Sequence, residues 1–222
     1  MKTKLILLLL AVGVAFRGLG QGTFFNLNFE SARVVLHDPQ FGWLDWSLAA
    51  PGWAHSSGSD LEVIYYGQEH FGVTGYYMLY DSVSPVYAPG TQLAGLYSLG
   101  FSSGYASSSG GAPWQQNYLS QTGAISSDVQ SIRFLARGSF AVFVGGTEIP
   151  MVALGSNAYA GDISAFADTT TDLRIVNTSM ELHDPVILDN VVFSATPVPE
   201  PSIMALVVVG GLAFVFGCRR FG

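Results

Sequence analysis

Apolar and polar positions alternate with a period of two along much of the middle of the chain. Ile132, Phe134 and Ala136 alternate with Arg133, Leu135 and Arg137, and Phe140, Val142 and Val144 alternate with Ala141 and Phe143. Such a period places every second side chain on one face of a strand. Gly145-Gly146 then leads into Thr147-Glu148-Ile149, which predicts a tight hairpin. Leu173 and Ile175 alternate with Arg174 and Val176. In the last strand Ile187, Asp189, Val191 and Phe193 fall on one face, and Leu188, Asn190 and Val192 on the other. Either face brings a polar side chain toward the core. Earlier strands are predicted at 24–29, 61–66, 76–80 and 93–101, with 115–125 pairing between them. Asp162 to Phe166 reads as one short helical turn with Asp162 as its N-cap. Ser102 to Gly111 reads as a surface loop, and the two copies of Leu-His-Asp-Pro, at 36–39 and 182–185, read as turns. Roughly nine or ten short strands joined by Gly, Ser and Pro turns predict an all-β fold, a two-sheet β-sandwich of the jelly-roll kind.

The two ends break this pattern. Lys2 and Lys4 precede an unbroken apolar run of 12 residues, Leu5 to Phe16, followed by Arg17-Gly18-Leu19-Gly20. This is the layout of a secretory signal peptide over 1–20, cut between Gly20 and Gln21. A run of that length is too short to span a bilayer. At the other end, Val198-Pro199-Glu200-Pro201-Ser202 precedes 16 uncharged residues, Ile203 to Cys218, and then Arg219 and Arg220. As a helix those 16 residues rise ~24 Å, which the snorkelling arginine stems extend toward the ~30 Å of a hydrocarbon core. The arginine pair favours the cytoplasmic side and leaves the body outside. The chain is therefore expected to consist of a signal peptide (1–20), a β-sandwich domain (21–196) and a C-terminal segment with an apolar helix (197–222).

Composition sharpens the picture of the body. The whole chain carries −7, but the body retains only Arg33, Arg133, Arg137 and Arg174 against fifteen acids, a net −11. A surface of that sign repels anionic polymers and attracts divalent cations, so nucleic acid is excluded as a partner. The single cysteine, Cys218, lies in the apolar tail and excludes an intrachain disulfide. There is no Gly-x-Ser-x-Gly elbow, no His-Glu-x-x-His and no phosphate loop, and His37, His55, His70 and His183 have no metal-ligand spacing. The expectation is a protein that is not an enzyme.

The Val-Pro-Glu-Pro-Ser motif, the hydrophobic segment and the terminal arginine pair together resemble the PEP-CTERM protein-sorting domain. That resemblance implies a bacterial protein handled by the export machinery and an exosortase-type processing enzyme. It also implies transient membrane attachment through the C-terminal helix, with the cell surface or extracellular matrix as destination. Asn177-Thr178-Ser179 matches a glycosylation sequon, which a bacterial source discounts. Phe25-Asn26-Leu27-Asn28-Phe29-Glu30-Ser31 and Leu188-Asp189-Asn190-Val191-Val192-Phe193-Ser194 resemble the first and last strands of galactose-binding-like jelly rolls, the superfamily of many carbohydrate-binding modules. This resemblance implies a structural Ca2+ at Glu30 and Asp189. On the residues alone, a buried carboxylate needs a partner, and hydrogen bonds to backbone at a sheet corner serve as well as a metal.

A polysaccharide partner needs aromatic platforms with nearby amides or carboxylates. Trp43, Trp46, Trp53, Tyr65, Tyr66, Trp114 and Tyr118 are the aromatic candidates, although sandwich cores also use such residues freely. Trp114, beside Gln115, Gln116 and Asn117, is the leading ligand-binding candidate. Two alternatives remain: a structural surface protein without ligand, and a carbohydrate-active enzyme with an unrecognised acidic pair.

Overall fold

The computed structural model describes residues 22–56, 63–66, 74–81, 92–105 and 113–199. The expected signal peptide with Gly20 and Gln21, and the sorting segment from Glu200 onward with Pro201, Ser202, Arg219 and Arg220, lie outside the described residues. No helix among the described residues is long and apolar enough to cross a membrane.

The first half contains β1 (Leu36–Asp38), β2 (Trp43–Asp45), the short helix α1 (Trp46–Ala49), β3 (Ala54–His55), β4 (Val63–Tyr66), β5 (Tyr76–Asp81), β6 (Tyr97–Ser102), β7 (Gly104–Tyr105) and β8 (Trp114–Gln115). The second half contains β9 (Tyr118–Ala124), β10 (Ser131–Arg137), β11 (Phe140–Val144), β12 (Thr147–Ile149), β13 (Met151–Gly155), β14 (Ala158–Asp162), β15 (Thr170–Asn177) and β16 (Val186–Ser194). Among the described residues, nine strands form one sheet in the order β1-β2-β4-β5-β6-β16-β10-β14-β13, and five form a second in the order β12-β11-β15-β9-β3. Strands β7 and β8 make a separate ribbon. The fold is thus all-β, with two packed sheets.

The expected alternation sets the inner faces. Ile132, Phe134, Ala136, Leu188 and Phe193 of the large sheet meet Leu119, Val142, Val144, Leu173 and Ile175 of the small one in a single buried cluster. Strand β5 reads Tyr-Tyr-Met-Leu-Tyr without alternation because both of its faces are covered. Tyr77 and Leu79 enter the main core, while Tyr76, Met78 and Tyr80 join Ile187 in a second cluster with Leu93. The β11–β12 hairpin turns at Gly145 and Gly146, with φ of 57° and 76°, and Val144 opposite Thr147. Two positive φ angles in succession are what a type I′ turn requires.

Four expectations are corrected. Residues 24–29 form no strand: Asn26 and Phe29 are left-handed at φ 51° and 58°, and the segment bridges the two sheets instead of joining one. Thr23 N–H donates to Ala124 O on the small sheet, and Leu27 O accepts from Val191 on the large one. Phe24, Leu27 and Phe29 are nonetheless buried, which explains why the stretch reads as a strand. The first Leu-His-Asp-Pro copy supplies strand β1 before its turn, whereas the second forms a turn with His183 at φ 60°. The helical turn is 3-10, Ser164–Phe166, with the Asp162 carboxylate accepting the Ser164 N–H at 2.9 Å. That hydrogen bond lowers the Asp162 pKa. Finally, β16 does not keep one face throughout. Asn190 is left-handed at φ 49° and the register against β10 shifts there, from Arg133↔Val192 to Leu135↔Asp189. This bulge lets Val186, Leu188, Val191 and Phe193 all face the core, and turns Asp189 to the opposite side with Ile187.

Candidate functional site

The outer face of the five-stranded sheet carries an open groove of about 390 Å³. Its position follows from the register. Tyr118, Val176 and Ala141 lie side by side across β9, β15 and β11, and Ser120, Arg174, Phe143 and Glu148 form the next row. Their inward neighbours fill the core, so these side chains point outward. Phe143, Val176, Arg174, Asp172, Gln116 and Thr178 line the groove. The Arg174 guanidinium lies 4.6 Å from the centre of the Tyr118 ring. That contact seats the guanidinium over the ring face. Among the described residues the one ion pair is His37 with Asp45, so Arg174 and Asp172 are not neutralised by a salt bridge. The groove therefore offers an aromatic and aliphatic floor, a fixed cationic donor set and one carboxylate acceptor.

The leading candidates from the sequence divide around this groove. Gln116 lines it, and Tyr118 flanks it beneath Arg174. Asn117 is buried: its amide nitrogen donates to Ser102 O and its oxygen accepts from Ser56 Oγ at 2.6 Å, so it braces the core instead of meeting a ligand. Trp114 is half-buried against Tyr105 in the β7–β8 ribbon, with Gln115 beside it. Trp53 is core, its indole N–H donating to Asn26 O, and Trp46 donates to Trp53 O and packs on Tyr77. Phe143, Asp172 and Arg174 were missed. The available signal was Phe143 and Val176, large apolar residues on the phase of β11 and β15 that should face water.

A second constellation joins Glu30 and Asp189. Asp189 is 1% exposed. Its Oδ2 accepts from the Ala94 N–H at 2.9 Å and the Ser98 hydroxyl at 2.6 Å, and its Oδ1 accepts from the Asn190 N–H. Glu30 Oε1 accepts from the N–H groups of Leu96 and Tyr97 at 2.7 and 3.2 Å. Both carboxylates thus converge on residues 94–98. Burial pushes the Asp189 carboxyl up to about 6, against the pull of its hydrogen bonds, and the Glu30 charge adds to the rise. No basic side chain pairs with either among the described residues. Two uncompensated carboxylates fit a cation, and Glu30 Oε2 accepts no hydrogen bond among the described residues. No third acidic or imidazole side chain joins them there, so any further ligands would be backbone carbonyls or water.

Residues 196–199, at the end of the described chain, are held against the body. Arg133 Nη2 donates to Pro197 O at 2.9 Å and Thr196 O at 3.3 Å, and Ser131 Oγ donates to Thr196 O at 2.6 Å. Val198 and Pro199 line a hollow with Val152, Asp162 and Ser164. Asn177 of the sequon is fully buried, its amide donating to Phe101 O and Asp184 O, which leaves it no access for a glycan.

No family model matches the chain, and no curated protein matches it. Among solved structures, it is similar to the apo form of a cyclase from Fischerella sp. at 14% identity and a TM-score of 0.49, covering 81% of this chain and 97% of that one. This similarity assigns the chain neither substrate nor activity.

Proposed function

We propose that this is an exported bacterial surface or matrix protein, sorted through a PEP-CTERM and exosortase-type route, whose jelly-roll body binds extracellular polysaccharide. The observation that carries the binding reading is the outer sheet face, where Arg174 lies on Tyr118 beside the outward ring of Phe143. Sugar rings present an apolar face to aromatic and aliphatic surfaces and hydroxyls to polar ones, and the groove supplies both. The net −11 of the body disfavours polyanions, so the ligand class is a neutral polysaccharide. An open groove on a sheet face accepts the interior of a polymer and not only its end. One carboxylate, Asp172, lines it, whereas hydrolysis by the usual acid pair needs two, which supports binding over catalysis. A calcium ion bridging Glu30 and Asp189 belongs to this reading as a structural element, since it would relieve the repulsion between two carboxylates that no described basic side chain neutralises.

Native gels containing galactomannan, xyloglucan or β-1,3-glucan test the reading. The full chain in mild detergent should be retarded by at least one of them, and Arg174→Ala should weaken that retardation about tenfold or more. Unchanged mobility in all three polymers would exclude the binding function and favour a structural surface protein.

A further inference from the structure

A second cleft, of about 550 Å³, lies between the segment that carries Phe25 to Arg33 and the end of α1 with the turn after it. It shares no lining residue with the sheet-face groove. We propose that this cleft is a second saccharide-binding site, taking one neutral pyranose ring, and that the protein is therefore bivalent and bridges two polysaccharide chains. The inference rests on the polysaccharide reading of the first groove but on different residues.

The chemistry is that of a sugar subsite. Phe25 is 54% exposed, an unusual position for a large aromatic ring, and forms one wall. Ser31 and Ser47 contribute hydroxyls. Glu30 and Arg33 both line the cleft and neither forms an ion pair among the described residues. A pyranose hydroxyl both donates and accepts, so the Arg33 guanidinium and the serine hydroxyls suit vicinal hydroxyls. Glu30 has its Oε1 on Leu96 and Tyr97 and is assigned to the calcium ion, so it limits the cleft without binding sugar, and the net −11 of the body disfavours an anion there.

The cleft is also pre-organised. The Asn26 side chain ties its two walls together, donating to Pro51 O at 3.2 Å and accepting from the Ser31 N–H at 3.0 Å. Arg33 N–H donates to Leu48 O at 2.8 Å across the same gap. Gln121 holds the Phe25 backbone through both its N–H and its carbonyl. The left-handed conformation of Phe29 is unfavourable for a bulky residue, and it persists in the segment that presents Phe25, Glu30 and Arg33. Rigid walls lower the ordering entropy that weak sugar contacts must offset.

The test is agglutination of beads coated with the polymer that retards the full chain most in the native gels, at constant calcium. Wild-type protein should agglutinate them. Phe25→Ala combined with Arg33→Ala should abolish agglutination and lower bead affinity about ten- to a hundredfold, the loss of a second attachment, while retaining single-site binding in solution. Arg174→Ala should do the same from the other site. Retained thermal midpoints show that each variant folds, and Arg33→Ala alone serves if the double variant does not. Agglutination by the cleft variant at the wild-type level overturns the second site and leaves the proposed function standing. Absence of any wild-type binding overturns both.

Discussion

Glu30 and Asp189, from opposite ends of the domain, grip the same short stretch of backbone: Glu30 Oε1 accepts from Leu96 and Tyr97, and Asp189 Oδ2 accepts from Ala94. Gly95, at φ 57°, sits between these contacts. The arrangement closes the start of the domain onto its last strand through side chains. Its energetics follow from placing two carboxylates near each other with no basic side chain paired to either among the described residues.

The first consequence is a pH dependence of unusual sign for an aspartate. Its pKa is raised in the folded state, to about 6 from 3.8. The native protein therefore holds this proton through a window in which the unfolded chain has released it. The associated stability is present at the acidic end and is lost as pH rises toward 6, on the order of 3 kcal/mol. With chelator present, Asp189→Asn should be more stable than wild type above pH 6, and the difference should vanish near pH 4. Parallel urea melts at the two pH values check this. An equal difference at both means that the carboxylate is not destabilised by burial.

Calcium should reverse that trend, because a bound cation favours the ionised carboxylates. At neutral pH and a hundredfold excess over Kd, calcium should stabilise the wild type by about 2.7 kcal/mol, raising its thermal midpoint by roughly 5–10 °C. Asp189→Asn and Glu30→Gln should each lose most of this increment. A midpoint identical with calcium and with chelator removes the ion from the site.

Gly95→Ala tests the grip itself. A Cβ there would stand 2.0 Å from Glu30 Oε1, on a backbone with left-handed φ. Displacing Glu30 frees the Leu96 and Tyr97 N–H groups, so the variant should lose about 2–3 kcal/mol in a urea melt. In a Glu30→Ala background the same substitution should cost only about 1 kcal/mol, the residual strain of φ. Equal losses in both backgrounds would show that the two residues are not coupled.

Arg133→Ala should loosen the stretch that follows β16, since Arg133 donates to the carbonyls of both Thr196 and Pro197. Elastase, which cuts after small residues, should cleave the full chain after Ala195 about tenfold faster in the variant, without a change in global stability. Equal cleavage rates would mean that the clasp does not hold the segment closed.

The inner faces of both sheets were legible in the alternation of Ile132, Phe134 and Ala136 and of Leu173 and Ile175, because a period of two is a local property of strand geometry. The Gly145-Gly146 hairpin was legible for the same reason: its turn depends on two adjacent residues. Strands β13 and β14 were missed. Their turn is marked by Gly155-Ser156-Asn157, with φ of 93°, 49° and 64°, but most of β13 is exposed at the sheet edge, so no alternation flanked the turn to mark a strand pair. Of the ligand candidates in the sequence, Gln116 reached the sheet-face groove and Tyr118 its edge beneath Arg174, while Asn117 went into the core.

The sequence by itself determined that the body is β-rich and acidic; the pairing of Glu30 with Asp189 came from the resemblance to galactose-binding-like jelly rolls. Only the tertiary structure decided what that pair meets and which face of β16 carries the aspartate. Both depend on the bulge at Asn190, a one-residue change of register that alternation cannot reveal. The groove of Arg174, Tyr118 and Phe143 is likewise tertiary, because register between strands distant in sequence, not spacing along any one of them, brings those side chains to one surface.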